Sequence, residues 1–76
     1  MPRTVVILAR HDPAEAMWVA AGITIMGDAV RLLALAPLPA DNHLARNLAL
    51  AGVTPERPDA GALAAAIAGA DHVVSL

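Results

Sequence analysis

The sequence predicts a small α/β domain in which helices cover both faces of a three-stranded parallel sheet. Apolar segments of strand length alternate with longer segments that begin at an aspartate and have the composition of helices. The first apolar segment, TVVILA, lacks the alternation of a half-exposed strand, which is typical of a parallel strand buried on both faces. With 76 residues the chain has room for one domain, residues 1–76.

The first strand is predicted over residues 4–9 and the first helix over 13–26. Asp12 is placed to cap this helix, because proline suits the first helical position and Pro13 occupies it. Glu15 follows three residues after the cap, which is the spacing of a capping box.

Small residues follow one side of the first helix, so that the helix can lie close to the sheet. Gly22 within it costs up to about 1 kcal/mol relative to alanine. We expect a close approach of the backbone to compensate at this position. Gly27 is expected to end the helix.

The second strand is predicted over residues 30–36, because Pro37 cannot donate a hydrogen bond to a neighbouring strand. A second helix is predicted over 42–51, capped by Asp41 and ended by Gly52.

Residues 54–58 are expected to form an irregular connection. A third, alanine-rich helix follows over 60–68, with Asp59 as its cap, and a last strand covers 72–76. Right-handed crossovers between parallel strands then predict the spatial order 2-1-3, with the first strand central.

The composition predicts association with other subunits. Hydrophobic residues make up 58% of the chain and charged residues 16%. A domain of this size buries only about 60% of the surface that its unfolded chain exposes, so the core cannot hide all of this apolar material. The outer strands of a three-stranded sheet also leave open edges. We therefore expect an oligomer, with Trp18 in the core or in an interface.

Several function classes are disfavoured. The net charge is −2 and the five basic residues are scattered arginines, so we expect no nucleic-acid binding. The absence of cysteine excludes thiol nucleophiles, disulfides and cysteine-ligated metals on this chain. Apolar stretches are interrupted well short of a membrane span of about 20 residues. Residues 1–3 do not read as the start of a signal peptide. We expect a cytoplasmic protein without a membrane association.

The candidate ligand site lies at the carboxyl ends of the strands, where parallel sheets bind ligands next to a reversal of strand order. Polar side chains follow the strands there, and the dipole of the first helix would favour an anion. The candidate ligand-binding residues are Arg10, His11, Asn42, His43 and Ser75. Each also has a structural interpretation as an exposed or capping residue, and Asp12 is most simply a helix cap.

No motif indicates a cofactor, a metal or a catalytic set. The chain has no glycine-rich phosphate loop, and His72 should lie at the opposite end of the sheet from His11, so no histidine metal site is expected. An enzyme with His11 as general base is the least favoured interpretation, and we expect a non-catalytic protein.

The segments VVILARHDPAEAMWVAAG, MGDAVRLLALAP and GADHVVSL resemble the DsrE/DsrF/TusBCD-like sulfur-relay superfamily. Its members open with a strand, a polar turn and an alanine-rich helix that leads through a Gly-x-x-Val step into the second strand, as residues 27–30 do here. The resemblance implies a DsrE-like, flavodoxin-like topology with a 2-1-3 sheet and assembly into trimers or hexamers.

In active members of that superfamily, a cysteine near a strand end carries persulfide sulfur. Ser75 stands at about that position, and serine cannot form a persulfide. The resemblance therefore implies a non-catalytic oligomeric subunit, a scaffold or regulator that forms homo-oligomers or heteromers with a cysteine-bearing homologue. The alternative is a small anion or nucleotide binding protein that uses the strand ends near Arg10 and His11.

Overall fold

Three parallel strands form the central layer of the structure, a computed structural model that describes residues 3–76. The strands are β1 (Thr4–Ala9), β2 (Ala29–Ala34) and β3 (His72–Ser75). Their spatial order is β2-β1-β3, and both pairings are parallel. The predicted fold class and strand order are thus confirmed.

Three helices lie on the two faces of this sheet: α1 (Pro13–Ile23), α2 (Asn42–Ala51) and α3 (Ala60–Gly69). Each helix follows an aspartate whose side chain accepts a hydrogen bond from a backbone N–H of the first turn. These caps satisfy donors that have no partner inside the helix.

The larger core lies between the sheet and the pair α1 and α2. Alternate side chains of β1 (Val5, Ile7 and Ala9) point to this side and pack with Ala16 and Ala20 of α1. Both alanines are fully buried, because their small side chains allow the helix axis to approach the strands.

The opposite face of the sheet has a smaller core. Val6 and Leu8 of β1 pack there with Leu33 of β2 and Ala66 of α3. Since β1 contributes side chains to both cores, it is buried on both faces, as its unbroken apolar sequence predicts.

Element boundaries agree with the sequence predictions except at five ends. The last turn predicted for α1 is a 3₁₀ turn over Thr24–Met26, which tightens the helix before Gly27 adopts φ 84°. β2 begins one residue earlier than predicted and ends two residues earlier, because the chain bends away before Pro37. α3 includes Gly69, and β3 ends at Ser75.

The expectation of close backbone approach at Gly22 is wrong within the chain. Gly22 is exposed, and apart from its chain neighbours and the backbone of its own helix, a Cβ atom placed there would meet no atom within 4 Å. The helix-destabilising effect of glycine therefore has no compensation from the contacts of this chain.

The two edges of the sheet differ. At the β2 edge, Glu56 pairs in parallel with Leu33: its N–H donates to the Leu32 carbonyl at 2.9 Å, and its carbonyl accepts from Ala34 N–H at 2.7 Å. Residues 54–58, predicted to be an irregular connection, thus extend the sheet by one residue pair. At the other edge, β3 has no outer strand neighbour among residues 3–76.

A side-chain ion pair holds this connection against β2. Arg31 donates from Nε to Glu56 Oε2 at 3.0 Å and from Nη2 to Oε1 at 2.8 Å. This bidentate hydrogen bonding lowers the pKa of the Glu56 carboxyl below its ordinary value of 4.5. Both side chains are partly exposed, so the stabilisation is modest.

We expect Glu56→Gln to lower the thermal midpoint by at most a few degrees at neutral pH. A lowered folded-state pKa gives stability that is present above 4.5 and is lost as pH falls through the folded pKa. Wild type and variant should therefore converge in acid. Thermal unfolding of both proteins, with Arg31→Gln and the double variant completing the cycle, checks this. A deficit that persists unchanged in acid would contradict it.

Candidate functional site

The structure brings three of the five candidate residues together at the carboxyl edge of the sheet. Arg10 and His11 follow β1, and both backbone N–H groups donate to the Leu76 carbonyl, at 2.8 and 2.9 Å. Ser75 is paired with Leu8 in the β1–β3 ladder. The three side chains belong to exposed residues, so they form a surface and not an enclosed pocket.

The other two candidates, Asn42 and His43, begin α2 at the same edge, after β2. Both are exposed, and no hydrogen bond within residues 3–76 links their side chains to those of Arg10, His11 or Ser75. The five residues therefore share an edge but do not form one constellation.

Aspartates occupy the helix N-termini at this edge. Asp12 Oδ1 accepts from Glu15 N–H at 3.1 Å, and Asp41 Oδ1 accepts from His43 and Leu44 N–H at 2.9 and 3.1 Å. Asp59 caps α3 in the same way at 2.8 Å. Each carboxylate sits where a bound anion would accept the same hydrogen bonds, and its charge repels another anion.

A second group of titratable side chains lies at the opposite edge of the sheet, where an Arg3 guanidinium nitrogen is 3.4 Å from Asp28 Oδ2. Within residues 3–76, no three histidine or acidic side chains are grouped so that they could hold a metal ion. His72 lies at the opposite edge of the sheet, where its Nε2 is 3.3 Å from an Arg3 guanidinium nitrogen. Over the same residues, every helix is too short or too polar to cross a membrane.

The most distinctive surface is apolar and lies on the outer side of α1 and α2. We call it the helix-layer patch and define it by four large side chains with high exposure: Trp18 (55%), Ile25 (87%), Met26 (76%) and Leu50 (82%). An isolated exposed leucine needs no explanation, but Trp18, Ile25 and Leu50 line one groove, and Met26 follows Ile25 in the chain. An apolar group of this size indicates an interaction surface.

A groove of about 410 Å³ runs through the helix-layer patch between the two helices. Trp18, Gly22 and Ile25 of the first helix and its 3₁₀ turn line one side, and Asn47 and Leu50 of α2 line the other. None of the groove residues is charged. A second cavity, of about 370 Å³, lies on the other side of α2, against residues 38–39 and 53–55.

Trp18, which the sequence predicts to lie in the core or in an interface, lies on this exposed patch. Ile25, Met26 and Leu50 were not singled out. A sequence signal exists for Ile25, because Trp18, Gly22 and Ile25 are spaced as one face of a helix, opposite the buried alanines. α1 is apolar nearly all round, which indicates cover on both sides.

Comparison with known proteins gives no relative: no family model, no curated protein and no solved structure matches the chain.

We expect Asp12→Ala to reduce the free energy of unfolding by about 1 kcal/mol, because a first-turn N–H loses its acceptor. Asp12→Asn keeps a side-chain oxygen at the cap and should lose much less. Urea denaturation of the three proteins provides the comparison. An equal loss in both variants would mean that the carboxylate charge, and not the cap, matters at this position.

The carboxylate caps also predict that inorganic phosphate and sulfate do not raise the thermal midpoint specifically. A ligand that binds the folded chain stabilises it by RT ln(1 + [L]/Kd), so a site of millimolar affinity is detectable. The measurement is a melting series with each anion at millimolar concentration, against chloride at matched ionic strength. A saturable rise that Arg10→Gln removes would contradict this expectation and support the anion site.

Proposed function

We propose that this protein is a non-catalytic subunit that works by assembling with other subunits through its apolar surfaces. The observation that carries the proposal is the helix-layer patch, four large apolar side chains left in solvent on top of a completed helix layer. The open outer edge of β3 supports the same reading, because an edge strand without a neighbour offers its backbone groups to a partner.

The carboxyl edge gives less support to the alternative function, the binding of a small anion or nucleotide. Its candidate residues are exposed, and the helix N-termini that would receive an anion hold aspartates. Arg10 supplies a positive charge at this edge, but it is exposed and Asp12, two residues further along the chain, carries the opposite charge. The helix-layer patch therefore supports assembly with other subunits more strongly than the carboxyl edge supports anion binding.

The finer form of the proposal is a DsrE-like scaffold or regulator in a cytoplasmic sulfur-relay complex. A 2-1-3 parallel sheet is the arrangement that the resemblance implies, and it is the topology of this chain. Ser75 is the last residue of β3, at about the position where the resemblance implies a cysteine in active members. A chain without cysteine would contribute shape and contacts, and a cysteine-bearing homologue would contribute the sulfur chemistry.

Sedimentation velocity tests the general proposal. We expect the purified chain to sediment as a multiple of its 7.7 kDa mass at micromolar concentration, with trimers and hexamers as the assemblies that the resemblance implies. Because dissociation depends on concentration, the mean mass should fall on dilution. A single chain that stays monomeric and unfolds cooperatively at high concentration would refute the assembly function.

The partner distinguishes the general from the finer proposal. Native mass spectrometry of the complex purified from its source cells gives the mass of each subunit. A heteromer whose second subunit is a similar α/β chain with a cysteine at the end of its third strand supports the sulfur-relay form. A strict homomer supports assembly and contradicts that form.

A further inference from the structure

We propose that the helix-layer patch binds the same patch of a second copy of this chain, in a two-fold interface with Gly22 at the point of closest approach. This inference rests on the proposed assembly function and adds the surface and the partner. It uses neither the carboxyl edge nor the resemblance.

The layer structure shows why another subunit should cover this patch. Domains are built from two or three layers around a core, and here α1 and α2 already bury one face of the sheet. The patch is on the solvent side of that layer, so whatever covers it adds a further layer beyond the completed core. A second copy supplies such a layer without any additional sequence.

The area of the patch is consistent with a dimer contact. Its four side chains expose on the order of 600 Å², the upper limit of what monomeric proteins usually leave as one apolar patch. A standard interface needs about 800 Å² per partner, so neighbouring residues, Thr24 and Asn47 among them, would have to contribute the remainder. A small ligand would fill the groove but would leave Met26 in water.

The absence of charge in the groove favours self-association in particular. In a two-fold interface each residue meets the same surface of its partner, so a charged patch would face its own sign. The groove is lined by apolar side chains with Thr24 and Asn47 as its polar members, and neither carries a charge. Its two copies can therefore meet without electrostatic repulsion.

Gly22 is the second, independent observation. It lies inside α1, where glycine costs about 0.5–1 kcal/mol relative to alanine, and its backbone does not need a positive φ. Apart from its chain neighbours and the backbone of its own helix, no atom of the chain approaches it, and it lines the groove. Neither the backbone conformation nor a contact within the chain requires glycine at this position. A partner side chain that packs against the backbone here would require it.

Two variants and two matched controls test the interface by sedimentation velocity and circular dichroism. Leu50→Glu places a charge in the patch, and Ala64→Glu places the same charge at an exposed position of α3, on the other face of the sheet. Gly22→Ala fills the approach point with one methyl group. Gly61→Ala makes the same change in α3, where the added Cβ would make only an ordinary contact.

We expect Leu50→Glu to halve the sedimenting mass while helix content is kept, and Ala64→Glu to leave the mass unchanged. Gly22→Ala should weaken association at least tenfold and yet raise the thermal midpoint of the dissociated chain, because alanine favours the helix. Gly61→Ala should leave association unaffected. A methyl group that stabilises the folded chain but weakens association is expected only where a partner subunit packs against the glycine.

The experiments distinguish a failure of the assembly function from a failure of the two-fold interface. A wild-type protein that is monomeric refutes the assembly function and the interface with it. An oligomer whose mass is unchanged by Leu50→Glu and Gly22→Ala, or one that sediments only as a trimer, refutes the two-fold interface and leaves the assembly function standing. Dissociation by Ala64→Glu alone would move the interface to the α3 face.

Discussion

The central strand β1 sets the requirement that the rest of the molecule meets. Its side chains enter two separate cores, so it needs helices on both faces and a strand on each side. Backbone groups buried at that depth need partners, and the parallel ladders with β2 and β3 provide them. A short chain that meets this requirement has little sequence left for outer surfaces, and α1 and α3 carry mainly apolar residues on their solvent sides.

The elements that short-range chemistry defines could be predicted from the sequence. The caps at Asp12 and Asp41 and the glycine after α2 mark helix ends through one or two hydrogen bonds each, and the structure contains all three. The position of Glu56 could not be predicted this way. Its backbone pairs with β2 and its carboxylate with Arg31, which is 25 residues away in sequence, whereas prolines at 55 and 58 suggest a loop.

The candidate site, too, could be predicted only as far as local sequence and topology define it. Topology places Arg10, His11 and Ser75 at one edge, because parallel strands end together, and this much follows from the order of the elements. Whether an edge becomes a pocket depends on how loops fold over it, and here the side chains remain exposed. The apolar groove lies between two helices that are separate in the sequence. The spacing of residues along either helix does not show how the two helices pack, so the groove could not be predicted.

Because Glu56 pairs with β2 at one edge of the sheet, the β3 edge is the one at which a further strand could be added. Prolines at 55 and 58 frame the outermost residue on that side, so a foreign strand would find no regular row of N–H donors there. The exposed side of β3 has no such protection, and Val73 presents an apolar side chain beside it. A chain that loses its proper neighbours is therefore most vulnerable to misassembly along β3, and fibril-like stacking would begin from that strand.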